Sequence, residues 1–488
     1  MRAYLLDIVL LIVLGLLIGS QYRNIADDPG LGWHIKTGNY IVEQLRVPYE
    51  DPFLYAQEQR SWISDQWLSD LLLYLIYLAG SWPLLYAVFT IIFLVTFFLI
   101  APAYLKLYGA SLWSSIFSII VCQRLASVHF IIRPVMFSFI FFLMLLYKLA
   151  SIEKRPDKIS GFLILPLIFL LWANTHPSFV LGIFVYSVFL ALRKPGAVLT
   201  ISFLLSCAAT FINPYAWRLH LSIISLSQSS FFMNLNTEWH ALSITSPEGL
   251  LATVVFIFCV LIRIFYLKKL PNLLLLICFY CFSLYSIRFL PYFSLVALLP
   301  FAISLDFVLK NRFSLEMRSF SAIPRATFCF LSIVLLVCAV FFQKIPFYSG
   351  EYGPSREKFP YQAMNYLNNK LRQTNGEIVV LAHPNWGGFI ALQSRSEGGR
   401  NFIKPLIDDR NTLLGENFYL EFFKNLSDFD KAVLYIGKSE AAYILLSRDS
   451  KLASLLKEHN NFKHLTEVMD SLLFKRITST ERLAFSSH

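Results

Sequence analysis

Long apolar runs recur from residue 4 to about residue 343 of this chain and then stop. A helix needs roughly 20 apolar residues to cross the hydrocarbon core of a bilayer, with about 17 as a working minimum. The runs that meet or approach this length are 4–20, 83–102, 111–128, 134–150, 159–173, 178–192, 197–212, 249–267, 271–286, 290–308 and 326–343. The pattern predicts an α-helical polytopic membrane protein with about 11 transmembrane helices.

The composition supports this class. Of the 488 residues, 56% are hydrophobic and only 15% are charged, whereas an ordinary soluble domain is about 45–50% apolar and about 25% charged. With a mean hydropathy of +0.58, the composition excludes a disordered, a fibrous or a simple cytosolic protein.

The basic residues predict the orientation of the chain. Lys and Arg collect in alternate short connections, at Lys106; Lys148, Lys154, Arg155 and Lys158; Arg193 and Lys194; Arg263, Lys268 and Lys269; and Lys310, Arg312, Arg318 and Arg325. Because cytoplasmic loops carry such an excess, we expect a cytoplasmic N-terminus and an exported tail. The net charge of +11 is then mainly a topology signal. The tail has no basic stripe with interleaved aromatic residues, so no nucleic-acid partner is expected.

The first run is expected to remain in place as an anchor. It is long for the apolar region of a signal peptide, and the bulky Leu17 and Ile18 stand where a cleavage site requires small residues. The predicted domains are therefore a transmembrane domain, 1–343, and an extracytoplasmic domain, 344–488. The first outer connection of the transmembrane domain covers 21–82.

The exported tail reads as a small α/β domain. Its alternating polar and apolar stretches predict strands at 377–382 and 441–447 and helices at 361–371 and 451–459. Between the strands, 383–388 has the residues of a tight loop. Trp386 in that loop either stacks on a sugar ring of an acceptor or has a structural role, in which it covers the core of the domain or docks on the helical bundle. We favour the structural role.

Asp27 and Asp28 are the most distinctive polar residues of the first outer connection. Paired carboxylates can act as a general base, stabilise a developing cation or hold a hard divalent ion such as Mg²⁺ or Mn²⁺, for which His34 can add a nitrogen ligand. The alternative is a solvated turn at the end of the first helix. On these residues alone the turn is the favoured interpretation.

Two amphipathic stretches follow this carboxylate pair, at 33–45 and 62–76. Such helices can lie along the membrane surface, although 69–78 equally fits the start of a further membrane helix. Asp65 and Asp70 are expected on a solvated face of the second stretch.

Further polar residues gather in the remaining outer connections. The guanidiniums of Arg124, Arg133 and Arg288 suit a phosphate group, or else they extend to lipid head groups at the interface. The remaining candidates for substrate binding are His34 of the first outer connection, His176, Glu238 and His240. Taken alone, His176 and His240 are each typical of a helix end. The prediction of substrate binding therefore rests on the accumulation of polar residues on the outer side of the membrane.

The first span, the acidic outer connection and the two amphipathic stretches together resemble the GT-C superfamily of membrane glycosyltransferases. Within it, the chain is most similar to protein mannosyltransferases, to the aminoarabinose transferase of lipid A, and to a group of bacterial multi-span proteins of poorly defined activity. The motifs that carry the likeness to this bacterial group are DPGLGWH at 28–34, RP at 133–134, WANTH at 172–176, NPY at 213–215, NWGGF at 385–389 and IDDR at 407–410. The chain differs from that group at Asp409, a position where the group often has Gly.

The resemblance implies a location, an activity and a set of partners. It implies a multi-pass protein of the bacterial inner membrane, in contact with membrane lipids, that takes a sugar from a polyprenyl-phosphate donor. The acceptor implied is a glycan, a lipid or a protein on the outer side. Asp27 or Asp28 is then the catalytic residue. Whether a divalent metal, Mg²⁺ or Mn²⁺, takes part as a cofactor stays open on these residues.

Two other classes of function stay open at this point. A transporter or lipid flippase needs ionisable residues near the middle of several spans, whereas polarity here gathers at the outer ends. A non-catalytic envelope assembly protein can have the same helical bundle.

Overall fold

The computed structural model describes residues 25–313 and 352–477, apart from 57–59, 155–159, 194–195, 236, 268, 270–271, 374–375, 395–401 and 469–470. The predicted spans 4–20 and 326–343 lie outside the described residues. The other nine predicted runs all lie mainly within helices.

The described residues up to 313 are almost entirely helical. Their α-helices are α1 (Leu31–Gln44), α2 (Trp67–Leu94), α3 (Ala101–Leu107), α4 (Leu112–Ala126), α5 (Val135–Lys154), α6 (Ser160–Thr175), α7 (Phe179–Arg193), α8 (Ala197–Ala209), α9 (Trp217–Gln228), α10 (Ser230–Leu235), α11 (Pro247–Phe265), α12 (Leu273–Tyr285) and α13 (Leu290–Phe313). A π-helix, Val95–Ile100, joins α2 to α3, and short 3₁₀ helices cover Ser127–His129, Thr237–Trp239 and Ile287–Phe289.

Four helical segments are long and apolar enough to cross a membrane. By length and composition these are Trp67–Leu107, Val135–Lys154, Pro247–Phe265 and Ile287–Asn311. Shorter apolar helices are Leu163–Thr175, Phe179–Arg193, Ala197–Ala209 and Leu273–Tyr285. The described chain is thus mostly helical, as the sequence predicts.

The first of these segments is interrupted rather than uniform. Within α2, Gly80 and Ser81 have non-helical backbone, and Ser81 has a φ of 54°. The π-helix then adds a second irregularity at Val95–Ile100, and such irregularities locally disturb the regular hydrogen-bond ladder. Residues 67–79 therefore form a helix of their own that ends at the break at Gly80 and Ser81, and whether 69–78 lies along the membrane surface or begins a membrane span stays a prediction.

A buried carboxylate joins α4 to α13. Asp306 of α13 accepts hydrogen bonds from the Ser111 backbone N–H at 2.9 Å, from the Ser114 hydroxyl at 2.6 Å and from the Ser111 hydroxyl. Ser111 is also the N-cap of α4. A negative charge at a helix N-terminus is stabilised by the unpaired N–H groups of the first turn, which explains how an aspartate is tolerated inside an apolar helix.

The tail forms a mixed five-stranded sheet with helices, as an α/β domain requires. The helices are α14 (Tyr361–Leu371), α15 (Pro384–Gln393), α16 (Asn411–Leu426), α17 (Phe429–Lys438) and α18 (Lys451–Lys457), and the strands are β1 (Ile378–Ala382), β2 (Ile403–Pro405), β3 (Tyr443–Ser447), β4 (Phe462–Val468) and β5 (Ser471–Arg476). The sheet order is β2-β1-β3-β5-β4. β1 runs parallel to β2 and β3, and β5 pairs antiparallel with β3 and β4.

One tail prediction is wrong. The segment 383–388 is not a tight loop, because Pro384 begins the helix α15. His383 caps this helix by accepting a hydrogen bond from the Asn385 N–H, and proline is well suited to the first helical position. Trp386 packs against the core of the domain and donates its indole N–H to the Lys358 carbonyl at 2.9 Å, which agrees with the interpretation favoured from the sequence.

The described chain divides into two compact units. One unit holds Ile25, Trp82–Trp217 and the described residues between Ser230 and Glu351. The other combines Ala26–Ser81 and Arg218–Ser229 with the tail from Tyr352 onward. Segments of the first outer connection and the tail therefore share one unit.

Candidate functional site

The first group of polar residues, here named the His34 cluster, consists of His34, Ser64 and Asp70. His34 Nδ1 lies 2.6 Å from Asp70 Oδ1, and Asp70 Oδ2 accepts from the Ser64 hydroxyl at 3.2 Å. Gly38, one turn after His34 on α1, permits this approach, because a Cβ there would overlap the Asp70 carbonyl oxygen. The expectation that Asp70 lies on a solvated face is wrong, since its side chain is completely buried.

A buried ion triad lies in the same unit. Arg410 Nη2 lies 2.8 Å from Asp51 Oδ1 and 2.6 Å from Asp408 Oδ2. The guanidinium carbon is also 4.5 Å from the ring centre of Trp62. Burial alone would lower the pKa of Arg410, but the two carboxylates outweigh that effect and raise its pKa. The IDDR motif therefore holds the tail to the first outer connection.

Two glycines bring α1 and α15 into close contact. A Cβ at Gly32 would overlap the backbone carbonyl of Gly388, and a Cβ at Gly388 would lie 2.6 Å from the Pro29 carbonyl oxygen. Beside this contact, the Trp33 indole N–H donates to Asp409 Oδ1 at 3.1 Å. The DPGLGWH and NWGGF motifs thus pack on each other, which gives their glycines a structural role.

The two adjacent carboxylates have different surroundings. Asp27 Oδ1 accepts from the Ser355 backbone N–H at 2.7 Å, and its Oδ2 lies 3.1 Å from Lys358 Nζ. Asp28 is buried, and its Oδ2 lies beside Gly30, as do Asp409 Oδ2 and Trp33 Nε1. Asp27 therefore connects to the start of the tail, while Asp28 and Asp409 flank a single glycine.

The second group, here named the Glu238 cluster, consists of His129, Arg133, Glu238 and Arg288. Arg133 Nη1 donates to both Glu238 oxygens at 3.0 Å, and Arg288 Nη2 donates to Glu238 Oε2 at 2.9 Å. Burial alone would raise the pKa of Glu238, but the two guanidiniums outweigh it and hold the pKa well below its usual range. Three of the residues predicted for substrate binding thus come together from separate connections.

His129 completes this cluster, and the sequence did not single it out as a site residue. Its side chain is buried, and neither ring nitrogen has a hydrogen-bond partner among the described residues. Burial lowers the pKa of His129 to about 4, although the charge of Glu238 acts in the opposite direction. His129 is therefore neutral at pH 7. The only sequence signal for it was its position four residues before Arg133.

Arg124, His176 and His240 have other partners. Arg124 Nη2 lies 2.8 Å from Glu248 Oε1. His176 Nδ1 lies 2.9 Å from the Ser178 hydroxyl, and His240 Nε2 lies 2.9 Å from the carbonyl oxygen of Asn234. These contacts stabilise helix ends and connections.

The part of the chain that the structure describes contains no group of three or more His, Cys, Asp or Glu residues that could hold a metal ion. Asp27 and His34, predicted as potential ligands with Asp28, instead bond to different partners. We therefore assign no metal ligands.

No family model matches the chain, and no curated protein matches it either. Its function must be argued from the chemistry of the polar residues themselves.

Proposed function

We infer that the chain is an integral membrane glycosyltransferase that moves a sugar from a polyprenyl-phosphate donor to an acceptor on the outer face of the membrane. The observation that carries this proposal is the Glu238 cluster, where Arg133 and Arg288 share one carboxylate. Guanidinium groups bind phosphate oxygens through paired hydrogen bonds. The side chains of Arg133 and Arg288 are 18% and 31% exposed, so a phosphate has access to them.

The proposed protein crosses a bacterial inner membrane about 11 times, a number that rests on the apolar runs. Its N-terminus lies in the cytoplasm and its tail lies outside, because the basic connections mark the cytoplasmic side. Four helical segments of sufficient length support a membrane location. The GT-C resemblance supports the donor class and the outer face, and the acceptor is a glycan, a lipid or a protein.

The proposed reaction exchanges one bond to the sugar for another. The acceptor oxygen bonds to the anomeric carbon as the bond from that carbon to the phosphate oxygen breaks. The acceptor proton goes to Asp28, and the lipid phosphate leaves with the electron pair, stabilised by Arg133 and Arg288. The transition state resembles the oxocarbenium-like one of glycoside hydrolysis.

Asp28 is preferred to Asp27 as the base. Asp27 accepts a hydrogen bond from the Ser355 backbone N–H and forms an ion pair with Lys358. Its charge therefore stabilises the contact between the first outer connection and the tail. A general base contributes about 10²–10⁴-fold to the rate. Asp28 also lies in the buried DPG turn, where it shares Gly30 with Asp409.

A lipid or solute transporter is the alternative for which the structure offers a specific observation. Non-helical backbone at Gly80 and Ser81 interrupts α2, and transporters use interrupted helices to bind substrates. A transporter would move the polyprenyl-linked molecule across the bilayer without breaking the bond to its sugar. A non-catalytic envelope assembly protein would neither transfer the sugar nor move the lipid-linked molecule.

The experiment follows the fate of the sugar. The full chain is reconstituted into vesicles with polyprenyl-phosphate sugars labelled in the sugar, and a bacterial envelope extract supplies acceptors. We expect label to leave the lipid and enter a water-stable product. Asp28→Asn should reduce this transfer about 10²–10⁴-fold. Asp27→Asn molecules that fold should retain most of the transfer activity.

Two results would count against the proposal. Full transfer by the protein carrying both Asp27→Asn and Asp28→Asn would remove the carboxylate mechanism. Movement of labelled lipid between leaflets, with the sugar still attached, would identify a flippase instead. Arg133→Gln with Arg288→Gln provides a separate test, since loss of donor binding in that protein would support the phosphate role.

A further inference from the structure

A cavity of about 600 Å³ lies within the unit that contains most of the apolar helices. Residues from α3, α5, α7, α11 and α12 line it, together with Tyr108 after α3 and the connection between α11 and α12. Its charged lining residues are Glu153, Lys154, Arg193, Arg263 and Lys269. These include residues of the basic connections that predict the cytoplasmic side, so the cavity is separate from the polar residues assigned to sugar transfer.

The charges of this cavity do not balance. Arg193 Nη2 lies 3.0 Å from Glu153 Oε1, so the one acidic lining residue already has a cationic partner. Lys154, Arg263 and Lys269 therefore leave an excess of positive charge. Lys269 is exposed, and such a residue attracts anions from the surrounding medium.

A helix N-terminus adds to the positive potential. α12 begins at the cavity, and its first three residues, 273–275, line it. Asn272 does not cap the helix with its side chain, because its amide donates to the Tyr104 hydroxyl instead. The first N–H groups of a helix lack partners within it and favour an anion in front of them.

Apolar side chains at the same cavity indicate the kind of anion. Leu192 and Leu274 line it and are 61% and 45% exposed. An anion with an attached hydrocarbon chain can cover both leucines, whereas a free anion leaves them exposed. Basic pockets between membrane helices on the cytoplasmic side are typical sites for anionic lipid head groups.

We propose that this cavity binds the phosphate group of an anionic phospholipid, with its acyl chains against Leu192 and Leu274. Phosphate oxygens are held by Lys154, Arg263 and Lys269 and by the first turn of α12. This site is independent of the proposed sugar transfer, and a protein without transferase activity would retain it.

Lipid binding is measured on the full chain in nanodiscs of phosphatidylcholine that contain a small fraction of phosphatidylglycerol. We expect phosphatidylglycerol to be retained after extraction in mild detergent, with native mass spectrometry counting the bound molecules. Arg263→Gln combined with Lys269→Gln should reduce retention by about tenfold or more. The matched control, Lys106→Gln with Lys310→Gln, removes two positive charges that do not line the cavity and should leave retention unchanged.

Arg263 also donates to the Leu267 carbonyl at 2.7 Å, so its replacement can affect folding. Lys269→Glu tests the site without changing that hydrogen bond and should reduce retention as well. Equal retention by this variant and the wild type, or equal retention of phosphatidylcholine and phosphatidylglycerol, would overturn the proposal. Inorganic phosphate that displaces the lipid at similar concentrations would show that the cavity takes a soluble anion instead.

Discussion

His34 Nδ1 and Asp70 Oδ1 lie 2.6 Å apart, with side chains only 1% and 0% exposed. The pair joins α1 to the beginning of α2, and the ring of Trp33 lies 3.6 Å from that of His34, between ring centres. Buried polar groups are costly unless they are hydrogen-bonded. The two side chains therefore depend on each other, which explains why an aspartate occurs at the start of an apolar helix.

Replacing Asp70 by leucine is expected to destabilise the protein. The change removes the partner of His34 Nδ1 and of the Ser64 hydroxyl, and each buried polar group without a partner costs about 1–3 kcal/mol. The free energy of unfolding in mild detergent measures the effect. Asp65→Leu is the matched control, because Asp65 is only half-buried and bonds to the neighbouring Gln66, and it should change stability by less than about 1 kcal/mol.

A double-mutant cycle separates the His34–Asp70 contact from its surroundings. His34→Leu combined with Asp70→Leu should cost less than the sum of the single changes, with a coupling of about 0.5–3 kcal/mol. Strict additivity would show that the contact contributes nothing to stability.

The approach of α1 to α15 gives a second prediction. Gly32→Ala should destabilise the protein by about 1–3 kcal/mol, because the added methyl overlaps the Gly388 carbonyl and backbone must shift. Gly437→Ala is the control, since it lies in α17 with open space around it, and it should stabilise by up to about 1 kcal/mol. A Gly32→Ala protein as stable as the wild type would contradict the close contact, and thermal unfolding of both variants decides the matter.

Much of the helical architecture could be predicted from the sequence, because an apolar run of sufficient length specifies a helix locally. The predicted run 249–267, for example, corresponds to Pro247–Phe265, and the strand predicted at 441–447 to Tyr443–Ser447. The α15 helix was missed because two glycines at 387 and 388 indicate a turn. Their small size instead serves contacts with residues distant in sequence, namely Gly32 and Asp408.

For the candidate site, too, contacts between residues distant in sequence could not be predicted. The residue types were predicted, since guanidinium groups suit a phosphate, but their grouping around Glu238 depends on three separate connections. The pairing of His34 with Asp70 and of Arg410 with Asp51 also joins segments far apart in the chain. No local spacing encodes such pairs, so they become visible only in three dimensions.

Arg410 gives the third prediction. Arg410→Met should destabilise the protein by about 3–5 kcal/mol, because two buried carboxylates, Asp51 and Asp408, lose their cation. Lys404→Gln is the control, because its ion pair with Glu377 is partly exposed and contributes about 0–1 kcal/mol. Denaturant unfolding followed by tryptophan fluorescence is suitable, since Trp62 packs on the Arg410 guanidinium. Equal effects of the two substitutions would exclude a special role for the triad.

His129 gives the fourth prediction, which concerns pH. Burial lowers its pKa to about 4 in the folded protein, whereas an unfolded histidine has a pKa of about 6.5. Between these values the unfolded chain binds a proton that the folded chain does not bind. Stability therefore falls as the pH is lowered from about 6.5 to about 4, by up to roughly 3 kcal/mol from this residue.

Replacing His129 by glutamine isolates this contribution. The charges facing His129 are those of Glu238, Arg133 and Arg288, and all three remain in the variant. We expect the unfolding free energy of His129→Gln to depend less steeply on pH between 6.5 and 4 than that of the wild type. His240→Gln, at an exposed histidine in a neighbouring segment, should keep the wild-type slope. Parallel curves for His129→Gln and the wild type would mean that His129 does not stay neutral as the pH falls, because a buried neutral imidazole must produce the difference.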